Sequence, residues 1–194
     1  AGEAGKMKIN VNAWFSKATL PKEVDLMGAS GFAQTINKYY QDGAVSQEQM
    51  AGLNRTGGKD WLDHITENPW TQNYDLNISG GTEALRYRVS FNQLRQDGML
   101  INQWYRKSNL RANLDIKANS RMDLKFNFSY IEPKSRNNNF QGDIYDPFAA
   151  VNIFDPTMPV YNSEGDYNLT SQWGSNGYNP VAELHHRKDD ERSK

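Results

Sequence analysis

Five stretches of this chain alternate apolar and polar residues with a period of two, and that pattern constrains the fold more than any other feature. Successive side chains of a β-strand point to opposite faces, so such alternation describes strands with one apolar and one polar face. Over 8–15, Ile9, Val11, Ala13 and Phe15 alternate with Lys8, Asn10, Asn12 and Trp14. Tyr74, Leu76 and Ile78 alternate with Asn73, Asp75, Asn77 and Ser79 up to Gly80-Gly81, and Leu85, Tyr87, Val89 and Phe91 follow with Arg86, Arg88, Ser90 and Asn92 between them. These two runs read as a hairpin with a short glycine turn. A second hairpin joins Leu110, Ala112, Leu114 and Ile116 to Met122, Leu124, Phe126, Phe128 and Tyr130 through Ala118-Asn119-Ser120.

Two architectures accommodate the pattern. A soluble sandwich packs the apolar faces on each other and wets the polar ones. An outer-membrane barrel turns the apolar faces to lipid and the polar faces to its lumen. Connection lengths lean toward the barrel: hairpin turns are short, whereas 16–71, 95–106 and 132–194 are long, the arrangement expected of short periplasmic turns and long outer loops. Soluble β proteins with functional loops also show it.

The first long connection has helical signals. Phe32, Ile36, Tyr39 and Tyr40 are spaced for one helix face, with Asp25 or Ser30 as the cap and Gly43 as the stop. A second short helix is expected from Ser46 to Leu53, and a third from Asp60 through Trp61, Leu62 and Ile65, ending before Pro69. The last segment is rich in Asn, Gly, Pro, Tyr and Asp and ends in a charged tail, His185 to Lys194, without periodic signal.

Composition narrows the classes. Leu, Ile, Val and Phe make up about a fifth of the 194 residues and mean hydropathy is -0.84, close to the regime of disorder. A formal charge of -1 and 12% aromatics argue for a folded chain. No run approaches the roughly 18 apolar residues of a membrane-spanning helix, which excludes a helical membrane protein and leaves a strand-built one open. The N-terminus, Ala1 to Lys6, lacks the apolar stretch of a signal peptide. With no cysteine, thiolate metal sites, disulfides and cysteine nucleophiles are all absent from the chain.

Catalytic chemistry finds no foothold. Phosphate loops, nucleophile elbows, zinc-ligand spacings and dinucleotide fingerprints are missing, and no catalytic residue, cofactor or metal ligand is assigned. His185-His186 beside Glu183 and Asp189 is the nearest approach to a metal site, set against a solvated terminal segment; neighbouring His residues in a strand would point to opposite faces. Asp143, Asp146, Asp155, Glu164 and Asp166 suggest calcium only weakly, since a twelve-residue ligand loop is missing and Asp also forms turns. Trp14, Trp70, Trp104, Tyr105 and Trp173 sit near strand ends or in loops, fit for a membrane-interface girdle, for stacking on sugar rings, or for ordinary loop packing. Arg86, Arg88, Arg111 and Lys125 share the polar face with Asp75, Asp115 and Asp123, a mixed-sign wetted wall rather than a nucleic-acid groove.

Read as motifs, several of these runs resemble the SusC/RagA family of TonB-linked outer-membrane transporters. Gly5-Lys6-Met7-Lys8-Ile9-Asn10-Val11-Asn12-Ala13 is similar to that family's first barrel strand, after the plug. Leu20-Pro21-Lys22-Glu23-Val24-Asp25-Leu26-Met27, with Ala29-Ser30 and Phe32-Ala33, resembles its first outer loop. The most specific block is Asp60-Trp61, then 72–83 from Gln72-Asn73-Tyr74-Asp75 to Gly80-Gly81-Thr82-Glu83, then Tyr87, Ser90 and Gln96-Asp97-Gly98. Arg111-Ala112-Asn113-Leu114-Asp115, Phe126-Asn127-Phe128-Ser129-Tyr130, Pro159-Val160-Tyr161-Asn162 with Gly165, and Asn179-Pro180-Val181-Ala182 continue the match over nearly the whole chain.

The resemblance implies an all-β chain, part of a transmembrane outer-membrane barrel with short helices in its outer loops. Its expected divisions are a plug-to-barrel junction (1–7), a first strand (8–15), a long outer loop (16–71), a hairpin (72–94), an outer loop (95–106), a second hairpin (107–131) and a long outer loop (132–194). Tyr74, Leu76, Ile78, Leu85, Val89, Phe91, Leu114, Leu124, Phe126 and Phe128 would then face lipid. Five strands fall short of the smallest barrel of about eight, so the chain is expected to be a fragment. The family implies import of an oligosaccharide or peptide at the bacterial cell outer membrane, with a SusD-like lipoprotein lid, the TonB complex and membrane lipid as partners. No enzyme activity and no nucleic acid are implied. A soluble or surface β-rich carbohydrate-binding module is the competing reading, separable by its independence of detergent.

Overall fold

Strands β1 (Gly5–Lys17), β2 (Trp70–Gly81), β3 (Leu85–Asp97), β4 (Trp104–Asn119), β5 (Met122–Arg136) and β6 (Asp190–Arg192) form one antiparallel sheet in chain order. They belong to a computed structural model that describes residues 4–20, 26–43, 45–47, 50, 61–137, 146–169, 178–186 and, through their backbone, 190–192. Helices α1 (Ala29–Gln41), α2 (Trp61–Ile65), α3 (Pro147–Ile153) and α4 (Pro180–His186) lie in the long connections. The all-β class with short loop helices, expected from the alternation, is what the chain adopts, and no described helix is long and apolar enough to cross a membrane.

Register converts alternation into two continuous faces. Val11, Leu76, Phe91, Leu110 and Tyr130 are paired partners across five strands, and so are Ile9, Ile78, Val89, Ala112 and Phe128. On the opposite face, Lys8, Ser79, Arg88, Asn113 and Asn127 form the corresponding row. A slip of one residue in any strand would interleave the two sets, so the pattern itself pins the pairing.

The strands outrun the alternation. Pairing continues to Asp97 in β3, from Trp104 in β4 and to Arg136 in β5, through residues that no longer alternate apolar with polar. Backbone hydrogen bonding is indifferent to side-chain polarity, so a sheet wetted on both sides at one end extends without leaving a periodic trace. The first hairpin turn lies at Thr82-Glu83-Ala84 rather than at the glycine pair, closed by the Thr82 N–H on the Leu85 carbonyl and by the Leu85 N–H on Thr82 Oγ1. Gly81 has φ +147°, and a Cβ there would run into the Leu85 carbonyl, so the position admits only glycine without strain. In the second hairpin Asn119 Oδ1 accepts from the Arg121 N–H, and the turn is Ser120-Arg121.

The buried core is not on the sheet. Trp61, Ile65, Leu100, Val151, Phe154, Val181 and Leu184 make one apolar cluster from α2, the β3–β4 connection, α3 and α4, all at the end where β2 begins and β3 ends. Ile65 and Leu184 are 0% exposed. Thr66 bridges Leu100, the Ile101 N–H reaches the Ile65 carbonyl and the Glu67 N–H the Met99 carbonyl. The long connections therefore fold on one another into a pad at one edge of the wall.

Three elements have no periodic signature: α3 and α4 in the pad and β6 at the edge of the sheet occupy segments expected to be irregular or a solvated tail. Two are announced instead by capping chemistry. Asp146 Oδ1 accepts the Phe148 N–H with Pro147 at the first helical position, and Asn179 Oδ1 accepts the Val181 and Ala182 N–H groups ahead of Pro180. In α1 the cap is Gly28, without a side-chain bond, and Ser30 lies inside the helix. Gly43, at φ +78°, donates to the Tyr40 carbonyl just past its end. Asp25, Asp60, most of the expected 46–53 helix, Asp143, Trp173 and Asp189 fall outside the described residues.

Candidate functional site

The apolar face is uncovered. Val11 is 75% exposed and Phe126 and Phe128 are 55% exposed, and Ile9, Leu85, Val89, Phe91, Leu124 and Tyr130 are exposed with them. Among the described residues no second layer packs over these side chains. A soluble sandwich would bury this face, since each such side chain gains roughly 1.5–3 kcal/mol on burial. Met122 to Tyr130 spans eight residue steps, about 27 Å along the strand and about 20 Å along the barrel axis at a tilt near 40°, close to the roughly 25 Å apolar band of an outer-membrane barrel.

Beyond Tyr130 the same face changes character within two rows. The next row holds Tyr74, Gln93, Ser108 and Glu132, with Ser108 Oγ donating to Gln93 Oε1 over 2.8 Å. The row after it sets Arg95, Arg106 and Lys134 side by side in register. Above these stand Trp70 and Trp104: Lys17 Nζ is 5.7 Å from the Trp70 ring centre, and the Arg106 and Arg136 guanidinium carbons are 4.7 and 5.8 Å from that of Trp104. Trp14 and Tyr105 pair with Asn73 and Gln96 on the polar face. The four described aromatics of the five considered for a girdle thus divide between the faces. The aromatics that edge the apolar belt are Tyr130 and the Tyr74–Phe15 pair, whose rings meet edge-on with centres 5.7 Å apart.

The polar face is cross-linked by side-chain amides. Asn92 Nδ2 donates to Asn73 Oδ1 (2.8 Å) and to Asp75 Oδ1 (2.7 Å), and Asn73 Nδ2 donates to Asp75 Oδ2 (2.6 Å). Farther along, Arg86, Asp115 and Lys125 lie in one row with alternating sign. That is the mixed-charge, wetted wall expected from the sequence.

The acidic and histidine clusters serve the pad. Asp155 Oδ1 accepts from the Thr157 N–H and Oγ1, and Asn162 Oδ1 accepts from the Glu164 and Asp166 N–H groups, so these positions shape turns. His185 and His186 end a helix rather than a strand, and both rings contact Tyr167, at 6.1 and 5.6 Å between centres. Burial first, and then the hydrogen bond to Tyr161, raises the Tyr167 hydroxyl above its ordinary 10.0. No three His, Asp or Glu residues converge as metal ligands among the described residues.

An uncovered apolar belt on an antiparallel meander, with its core displaced into the loops, is the geometry expected of a barrel wall rather than of a sandwich. No protein-family model matches the chain. Among curated proteins, TonB-dependent receptor P26 of Formosa agariphila is 32% identical over 128 residues, 64% of this chain and 12% of that protein. TonB-dependent receptor P3 of the same organism is 26% identical over 93% of the chain and 18% of its own length, and TonB-dependent receptor SusC of Bacteroides thetaiotaomicron is 28% identical over 90% and 16%. The chain is SusC/RagA-like. The RagAB peptide importer in its closed-closed state matches 93% of the chain with a TM-score of 0.69 at 17% identity, and the open-open state matches with 0.67 at 15%. This SusC/RagA-like chain spans less than a fifth of the curated relatives and 24% of each of those solved chains. Its relatives are named as receptors and importers, and the likeness to the solved structures extends to the fold.

Proposed function

We propose that this chain forms part of the barrel wall and outer loops of a TonB-dependent outer-membrane transporter that imports a large nutrient such as an oligosaccharide or peptide. The carrying observation is the exposed apolar belt, continuous across β1–β5 and about as tall as a bilayer's apolar band. In this reading the belt faces lipid, the Asn73–Asp75–Asn92 network faces the lumen and the loop pad lies outside the cell. The turns at 82–84 and 120–121 face the periplasm. The 1–7 segment joins a plug, a SusD-like lipoprotein covers the outer mouth and the TonB complex supplies the energy. No catalytic step is assigned.

The soluble carbohydrate-binding alternative requires the apolar face to be covered, and its exposure counts against that alternative. The full-length protein containing this segment should fractionate with outer membranes, require detergent for solubility and support TonB-dependent uptake of a glycan or peptide. Recovery as a monomer in plain buffer would overturn the reading.

A further inference from the structure

The barrel reading explains the apolar belt but not the charges set directly above it on the same face. Arg95, Arg106 and Lys134 are consecutive partners across β3, β4 and β5. Like charges placed directly opposite one another destabilise a sheet. Lys134 Nζ has Glu132 Oε1 at 2.8 Å and Arg106 lies over the Trp104 ring, while Arg95 is exposed. With Asp97 and Arg136 in the next row of the same face, two carboxylates stand against four cations, a net positive patch.

Its height is informative. The row lies two rows, four residues, beyond Tyr130, about 10 Å along the barrel axis at a tilt near 40°. That puts the row's backbone just beyond the headgroup layer, which adds about 5–8 Å to each side of the hydrocarbon. Long Arg and Lys side chains reach back toward it while keeping their heads in polar surroundings. The guanidinium fork suits phosphate oxygens in particular. The two rows that flank it on the opposite face, Asn73, Leu94, Lys107 and Pro133 and then Thr71, Gln96, Tyr105 and Ser135, hold a single cation between them.

We propose that Arg95, Arg106 and Lys134 form an outward-facing site for a phosphate-bearing lipid headgroup of the outer leaflet. The proposal rests on the barrel reading, because only then does this face meet lipid. The bound phosphate offsets the repulsion along the row and fixes how deeply this sector of the wall sits in the membrane.

The test uses the full-length receptor in neutral detergent, titrated with bis-phosphorylated lipid A in mixed micelles and read by native mass spectrometry. Each cation facing an anionic surface is worth about fivefold in affinity, so Arg95→Gln/Arg106→Gln/Lys134→Gln together should weaken binding about a hundredfold. Arg86→Gln/Arg88→Gln/Arg111→Gln on the polar face should leave it within about twofold of wild type, since none of these side chains faces the lipid. Dephosphorylated lipid A should bind the wild type as weakly as bis-phosphorylated lipid A binds the first variant. Equal binding by wild type and first variant would overturn the site, as would inorganic phosphate competing fully at matched concentration. If that variant fails to assemble, the wild type's preference between the two lipids decides: a clear preference for the phosphorylated form supports the site, and none overturns it. A wild type that enters micelles without a phosphate preference defeats only this proposal; one that needs no detergent defeats the barrel reading with it.

Discussion

Trp61 donates its indole N–H to the backbone carbonyl of Asp155 over 3.0 Å, joining α2 to the segment after α3 across 94 positions of sequence. The Phe154 ring meets the same indole edge-on, with centres 4.9 Å apart. The two contacts make Trp61 the pivot on which two long connections fold into one pad. Trp61→Ala should therefore cost the pad about 3–5 kcal/mol through the cavity left in its core. Hydrogen exchange in 61–65, 150–154 and 181–184 should accelerate together while the strands keep their protection. Loss of protection confined to 61–65 would show that the pad is not one cooperative unit.

Asn179 does more than cap α4. Its Oδ1 accepts from Val181 and Ala182, and its Nδ2 donates to the Val160 and Asn168 carbonyls at 3.0 and 2.9 Å, while Asn179 itself is 0% exposed. Asn179→Asp keeps the acceptor and loses both donors, so α4 should still form while the 160–168 turn loosens. Asn179→Ala should lose both, at about 2–4 kcal/mol in total. Limited proteolysis near 160–168 separates the variants: cleavage in both, with α4 protected only in the Asp form, is the expected result.

Depth along the apolar belt should grade the cost of a charge. Phe126 lies midway between Met122 and Tyr130, whereas Leu124 pairs with Ile116 in the row nearer the turns. Phe126→Arg should cost about 2–4 kcal/mol of folding free energy in bilayers, and Leu124→Arg less, falling toward the 0–1 kcal/mol of the interface. Asn113→Gln on the polar face should be nearly silent. Unfolding titrations in vesicles measure all three, and equal costs at Phe126 and Asn113 would contradict the facing.

The first hairpin carries a conformational requirement at one position. Gly81→Ala must place a Cβ against the Leu85 carbonyl at φ +147°, a strain of about 1–3 kcal/mol, and should slow barrel assembly. Gly5→Ala, with a nearly identical φ of +148° and open space around it, isolates the backbone part of the cost. Folding yields read as heat-modifiable mobility should rank wild type, Gly5→Ala, then Gly81→Ala.

How much of this was legible in the residues follows from what each level leaves in a sequence. Strands with one apolar face announce themselves, and Ile9 to Tyr130 could be placed on the correct faces from period two alone. The upper ends of β3, β4 and β5 could not, because there the face that was apolar carries Arg95, Arg106 and Lys134 and the alternation of period two is lost. Helices α3 and α4, at seven residues each, are too short for a 3.6-residue pattern, and their burial depends on Trp61 and Leu100 far away in the chain. The pairs Asp146-Pro147 and Asn179-Pro180 were the available signals, as cap and first-position proline. His185-His186, expected in a solvated terminal segment, close the Asn-capped helix α4 instead, and nothing local announces it beyond the same cap.

Accessibility along β5 tests the central claim most directly. Single cysteines placed one at a time from Leu124 to Ile131 in the full-length protein would carry nitroxide labels in bilayers. Even-numbered positions, Leu124, Phe126, Phe128 and Tyr130, should be relaxed by oxygen dissolved in lipid, with the strongest effect near Phe126. Odd-numbered positions should respond to a water-soluble nickel reagent. A period of two in opposite phase, or uniform access to the aqueous reagent along the whole strand, would contradict the wall between lipid and lumen.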